Sequence, residues 1–166
     1  MHLTLTVLFS IVSLGFARDP FDSTNSPSRS KVEGIQLDSY CPSHDADEES
    51  QREIFARFVQ TLYGEKNVSK AFSTYVDPGL IEHDPFEQSR DEVVARLSQI
   101  IPVTGFTVLR SIFDGDTGFV HVRVDEEDAQ PIAFADIYRM DGTCIVEHWD
   151  VVQSLPENST NPMAMF

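Results

Sequence analysis

Asp136-Ile137-Tyr138-Arg139-Met140-Asp141-Gly142-Thr143-Cys144-Ile145-Val146-Glu147-His148-Trp149-Asp150-Val151 reads as two strands folded about a tight turn. Asp141-Gly142 supplies the turn, because an Asp-Gly pair adopts the positive φ values that short hairpin loops demand. β-Branched and aromatic residues dominate on either side of it. Alternation then assigns faces. In the first strand Phe134, Asp136 and Tyr138 share a face; in the second, Val146, His148, Asp150 and Val152 share one and Ile145, Glu147, Trp149 and Val151 the other. The hairpin therefore carries two carboxyls and an imidazole on one predicted surface, with Phe134 and Tyr138 beside them.

Working outward, Phe106–Phe113 leads through Asp114-Gly115 into Phe119–Val124, and an acidic loop connects that strand to Pro131–Met140. Three helical patterns precede this sheet. Ile54, Phe55, Phe58, Val59, Leu62 and Tyr63 fall on one stripe, which predicts a helix from Asp47 to about Gly64. Val68, Ala71, Phe72 and Tyr75 predict a shorter second helix, ended by Asp77-Pro78-Gly79 as a turn. Leu80–Phe86 follows as a loop or short strand. Ser89 and Glu92 form a capping box for a third helix carrying Val93, Val94, Leu97, Ile100 and Ile101 and stopping before Pro102. Helices followed by an antiparallel meander make the class α+β.

The 166 residues suit one domain, and 41% hydrophobic residues suffice for a core. With 12 Lys+Arg against 27 Asp+Glu, the formal charge of -15 repels nucleic-acid phosphates and anionic membrane surfaces. Neither partner is expected. Leu3–Phe16 is apolar and uncharged and leads to Gly15-Phe16-Ala17, so residues 1–17 read as a secretory signal peptide cleaved near Ala17. The stretch is shorter than the ~20 residues that span a bilayer. Residues 18–33 are Ser- and Pro-containing with few apolar side chains, a flexible leader; the domain is expected over 34–155 and a tail over 156–166. Asn67 and Asn158 head N-glycosylation sequons. Cys41 and Cys144 are an even pair that an oxidising compartment permits to join, two separate thiols being the other reading.

If the helices cover one side of a curved sheet, that side becomes a cavity lined by apolar groups, with Asp136, His148 and Asp150 on its wall. Carboxylates in an apolar pocket have raised pKa values and suit proton transfer near neutral pH. The competing reading is a hydrogen-bonded pair on a solvated face with Arg139 as counter-ion. The hairpin quoted above resembles the C-terminal signature of the SnoaL-like polyketide cyclase family, and Tyr75–Pro85, ending Glu82-His83-Asp84-Pro85, is similar to that family's pocket loop. With the helix order, the resemblance spans about Glu48–Gln153. It implies the nuclear transport factor 2-like cone, a curved sheet wrapping a pocket closed by three helices, and a tendency to dimerise.

The resemblance further implies that Asp150 matches the general acid/base aspartate of intramolecular aldol ring closure. Asp136 stands where the founding cyclase has a histidine, His148 matches a histidine, and Asp84, with His83 as its neighbour, falls at a pocket asparagine. The expected site is thus catalytic Asp150, His148 and Asp136, with His83, Asp84, Tyr138 and Phe134 around the substrate. His148 is expected to assist and position Asp150, and Asp136 to tune it. No cofactor and no metal is expected, since no zinc-binding spacing is present, and the absence of Gly-x-Ser-x-Gly removes a hydrolase elbow. Three functions stay open: a cofactor-free cyclase, isomerase or dehydratase acting on a hydrophobic carbonyl compound, a carrier using the same cavity, and an interaction domain using the outer sheet face. That face, with Glu147, Trp149, Val151 and Ile137, is apolar enough to predict a homodimer.

Overall fold

The structure, a computed structural model, describes residues 39–125 and 127–166. The expected signal peptide and leader lie outside the described residues. Helix α1 (Glu48–Val59) begins at Asp47, whose carboxylate accepts the Ser50 amide at 2.8 Å, a cap of the kind that contributes about 1 kcal/mol. Its apolar stripe buries Ile54, Phe55, Phe58 and Val59. The helical path continues to Gly64 as the sequence predicts, but Gln60–Gly64 widens into a π turn, so that Thr61, Leu62 and Tyr63 are buried in succession. Such wide turns recur at functional sites because they re-aim a side chain; this one turns Tyr63 inward.

Helix α2 (Val68–Tyr75) is capped by Asn67 and runs directly into strand β1 (Val76–Glu82). The expected turn at Asp77-Pro78-Gly79 persists as a local kink inside β1: the Asp77 carboxylate accepts the Gly79 amide at 2.7 Å, and the strand pairs parallel with the last strand at Val76, Ile81 and Glu82, with an irregularity between Val76 and Ile81. Proline and glycine are tolerated there because β1 is an edge strand. Helix α3 (Arg90–Ile100) starts at Ser89, whose hydroxyl accepts the Glu92 amide, while the Glu92 carboxylate accepts from Gln88 rather than from Ser89 itself. The capping box is therefore present with its return bond displaced by one residue.

Strands β2 (Gly105–Asp114), β3 (Thr117–Asp125), β4 (Ile132–Asp141) and β5 (Cys144–Ser154) form an antiparallel meander, and the sheet order is β1-β5-β4-β3-β2. The core lies between its inner face and the helices: Phe58 of α1 meets Tyr138 of β4 edge-on at 5.0 Å, and Phe55 packs on Phe113. Gly118 of β3 is small of necessity, since a Cβ there would sit 2.3 Å from the Phe55 ring. The α+β class and the cone expected from the sequence are what the chain adopts.

Register places Phe134 opposite Val152, Asp136 opposite Asp150 and Tyr138 opposite His148. One parity assignment fails near the turn. Arg139 pairs with Glu147 and Met140 with Ile145, leaving Val146 as an extra residue. This bulge flips the alternation, so Ile145 joins the core and Val146 is only half-buried.

The segment before α1 is tied to the β4–β5 turn. Thr143 donates its amide to the His44 carbonyl at 2.9 Å and its hydroxyl to the Tyr40 carbonyl at 2.6 Å. Cys41 and Cys144 are joined, with Cα atoms 5.1 Å apart.

Candidate active site

Helices and sheet enclose a cavity of about 340 Å³. Its wall is mostly apolar, with Phe72, Val93, Leu97, Ile101, Phe106 and Phe134 among the lining side chains. Volume and lining are those of a small-molecule site. The polar groups converge from four places: Tyr63 from the π turn, Asp84 and Glu87 from the loop after β1, Arg96 from α3, and Asp136, Tyr138, His148 and Asp150 from the terminal hairpin. The alternation of β4 and β5 beyond the bulge brings Asp136, His148 and Asp150 together as the sequence predicts.

Asp150 stands next to Asp84. Burial pushes its pKa up from 3.8 to about 6, the negative charge of Asp84 adds to the rise, and the His148 cation opposes it. Asp84 itself lies below the usual aspartate range: burial alone would raise it, but bonds from Glu87 and the backbone amides of Phe86 and Glu87 hold it down. Glu87 is raised by burial and by Asp84, against the pull of Arg96, which donates to it at 2.7 Å. Two adjacent carboxyls are thus driven apart, one held ionised and one left to titrate near neutrality. That division is what acid/base chemistry needs.

Two residues before Asp150 on β5, His148 lies between two carboxylates. Glu82, whose side chain is fully buried, takes Nδ1 of His148 at 2.9 and 3.0 Å and also accepts the amides of His83 and Asp84. Nε2 faces Asp136 Oδ1 at 3.6 Å, within ion-pair range and too long for a hydrogen bond. Burial alone would depress the imidazole pKa, but Asp136 and Glu82 together raise it to about 9, so the ring is a cation at neutral pH. Tyr138 stacks on it at 4.6 Å. Asp136 accepts from the Tyr63 hydroxyl at 2.5 Å, and both tyrosines, deeply buried and near that carboxylate, stay protonated.

Three expectations need correction. His83 does not line the cavity: it follows Glu82 on the strand path, so it takes the opposite side, where it stacks on Trp149 at 4.8 Å and bonds Glu147 at 2.9 Å. His148 is held by Glu82 and Asp136, and its influence on Asp150 is electrostatic. Arg139 pairs with Glu147 on the outer face and is not a counter-ion to Asp150. Of the substrate-facing residues, Asp84, Phe134 and Tyr138 do line the cavity.

Sequence reasoning missed Glu82, Tyr63, Glu87 and Arg96. The signal for Glu82 was parity: read as a strand, Leu80–Asp84 places Leu80, Glu82 and Asp84 on one side and His83 on the other. The sequons behave as surface sites, since Asn67 and Asn158 are both exposed, Asn67 using its carbonyl oxygen to cap α2.

No family model matches the sequence and no curated protein is similar to it. Solved structures share its architecture. A "putative ketosteroid isomerase" from Kribbella flavida is 17% identical with a TM-score of 0.55, over 70% of this chain and 87% of that one. An NTF2-like protein of unknown function from Burkholderia xenovorans is 18% identical with a TM-score of 0.56, over 68% and 90%. TsrD from Streptomyces laurentii is 14% identical with a TM-score of 0.51, over 65% and 91%. At 14–18% identity these likenesses show the fold. It is the nuclear transport factor 2-like cone that the resemblance to SnoaL-like proteins implied.

Proposed function

We propose that this protein is a secreted, cofactor-free acid/base enzyme of the cyclase, isomerase or dehydratase type, which removes a proton next to the carbonyl of a hydrophobic small molecule such as a polyketide. Asp150 carries the reading. It is a carboxylate on an apolar wall, beside a second carboxylate, with its pKa moved to about 6, where a base works at neutral pH. One structural neighbour bears an isomerase description, which supports the reaction class. The same apolar wall favours a second reading, a carrier for such a molecule, but a carrier gains nothing from Asp84 and Asp150, whose charges are costly to desolvate. Incubating the full chain with 2-tetralone in deuterated buffer tests this. Enzyme reading: NMR shows loss of the protons flanking the carbonyl faster than in buffer. Bound ketone without accelerated exchange moves the assignment to a carrier.

Export is supported by the apolar stretch ahead of Ala17, by the two exposed sequons and by the bonded cysteines. Intact-mass analysis of protein from the native host is expected to show a chain beginning at Arg18; a retained Met1 contradicts it.

Self-association is supported by the outer sheet face, where Ile81, Ile112 and Val151 are each more than half exposed. The tail covers part of that face, with Phe166 stacked on His121 and lying under the Arg123 guanidinium. Light scattering at micromolar concentration is expected to give a homodimer, and a monomer contradicts it.

A further inference from the structure

A second recess adjoins the cavity. It is an open groove of about 460 Å³ between α1 with its π turn and the edge strand β2, lined among others by Ala56, Val59, Gln60, Gly64, Val108 and Ser111. Two residues, Tyr63 and Phe106, line both the groove and the cavity. Their ring centroids are 6.0 Å apart, so the partition between the two recesses is this pair of rings. Its halves are held differently. Tyr63 is turned inward by the π turn, and its hydroxyl is tied to Asp136 at 2.5 Å and to Tyr138 at 3.3 Å. Phe106, opposite Val124 on β3, has no polar atom in its side chain and is held by apolar packing against the core, half-buried.

We propose that Phe106 is a specificity-determining residue: its ring, packed on Tyr63, closes the cavity toward the groove and confines ligands to one or two fused rings. This rests on the reading of the cavity as the ligand site and deepens it to a size class, whichever residue acts as the base. At about 340 Å³ the cavity is at the small end of the range for ligand sites. It reaches the surface beside Phe86, which lines it and is 76% exposed. The loop that carries Phe86 also carries Asp84, the neighbour of Asp150, so a carbonyl placed at Asp150 lies near that opening. The apolar body of the ligand is left to the apolar wall, of which Phe106 is part. Elsewhere that wall does not yield. Phe72, Val93 and Ile101 belong to the buried core, and a close-packed core resists added volume. Behind Phe106 lies the groove rather than packed protein. Truncating Phe106 therefore removes a ring-sized block and joins the two volumes. A ligand longer by one aromatic ring then places that ring where the Phe106 ring stood, facing Val108, which lines the groove and not the cavity.

Calorimetric titration of the full chain with 2-tetralone and with 6-phenyl-2-tetralone, the same ketone lengthened by one rigid ring, tests the partition. The wild type is expected to bind 2-tetralone at least about tenfold more tightly than the longer ketone. Phe106→Ala is expected to improve binding of the longer ketone by at least about tenfold. Phe106→Leu is expected to give a smaller gain, and it carries the test if circular dichroism shows that the alanine variant does not fold. Val108→Asp places a charge in the groove at a position 37% exposed and reads where the added ring goes. Alone, it is expected to leave 2-tetralone affinity unchanged. Combined with Phe106→Ala, it is expected to cancel the gain for the longer ketone, because an apolar ring then desolvates a carboxylate. Wild-type binding of both ketones alike, or of neither, overturns the proposal, as does the absence of a gain in the folded Phe106 variants. A gain that survives Val108→Asp also overturns it, since the added ring then lies outside the groove. Binding is read without turnover. A size switch at Phe106 alongside proton exchange that is insensitive to Asp150 upholds the partition while removing the base proposed above, so the two fail separately.

Discussion

Asp150→Asn is expected to slow the exchange of 2-tetralone protons by about 10²–10⁴-fold, the range removed with a general base. That corresponds to about 3–5 kcal/mol of barrier. Asparagine preserves the shape of the side chain and its contacts with the cavity wall but cannot accept the proton. Ketone affinity should therefore change little, a loss confined to the chemical step. The fold offers an internal control. Asp150 is charged at neutral pH on an apolar wall next to Asp84, and burial and Asp84 both oppose that charge. Removing it is expected to leave the thermal midpoint unchanged or higher, which separates lost chemistry from lost structure. Wild-type exchange rates in this variant would take the base role away from Asp150.

Cys144→Ala is expected to lower the unfolding free energy by about 3–5 kcal/mol, and a reductant to do the same to the wild type. The bond spans 103 residues of sequence, and in the chain-entropy model closing so long a loop removes much of the freedom of the unfolded chain. In the folded state it holds the segment before α1 against the β4–β5 turn, where Gln51 donates to the Gly142 carbonyl at 2.9 Å. Gly142 has φ 52°, and a Cβ there would meet the His44 carbonyl oxygen at 2.0 Å, so turn and segment are in close contact. Chemical denaturation with and without reductant reads the effect. A difference below about 1 kcal/mol would contradict the entropic account.

The hairpin was legible because strand alternation is a local rule. Once Asp141-Gly142 is recognised as the turn, the shared face of Asp136, Tyr138, His148 and Asp150 follows. The rule broke where an extra residue entered the strand, at Val146, since a bulge depends on pairing across the sheet. β1 was read only in part for a related reason: Asp77-Pro78-Gly79 has turn chemistry and keeps a turn-like bond from the Gly79 amide to Asp77, and only the pairing of Val76, Ile81 and Glu82 with β5 on either side carries the strand across it. With Leu80–Phe86 left open between loop and short strand, Glu82 was assigned no face, and the group that holds His148 was missed. Tyr63 was assigned to a helical stripe, whereas its approach to Asp136 comes from the π turn. Glu87 and Arg96 meet over a loop whose path is set by the carboxylate of Asp84, a contact with no sequence period to announce it.

The pH dependence of 2-tetralone proton exchange tests the central claim most directly. Only the ionised form of Asp150 accepts a proton, so the rate should rise as pH increases and reach half its maximum near 6, an apparent value belonging to Asp150 together with Asp84. It should fall again as the His148 cation is lost at about 9. A rate already maximal just above the ordinary aspartate value of 3.8, or exchange no faster than in buffer at any pH, would contradict the assignment of Asp150 as the base.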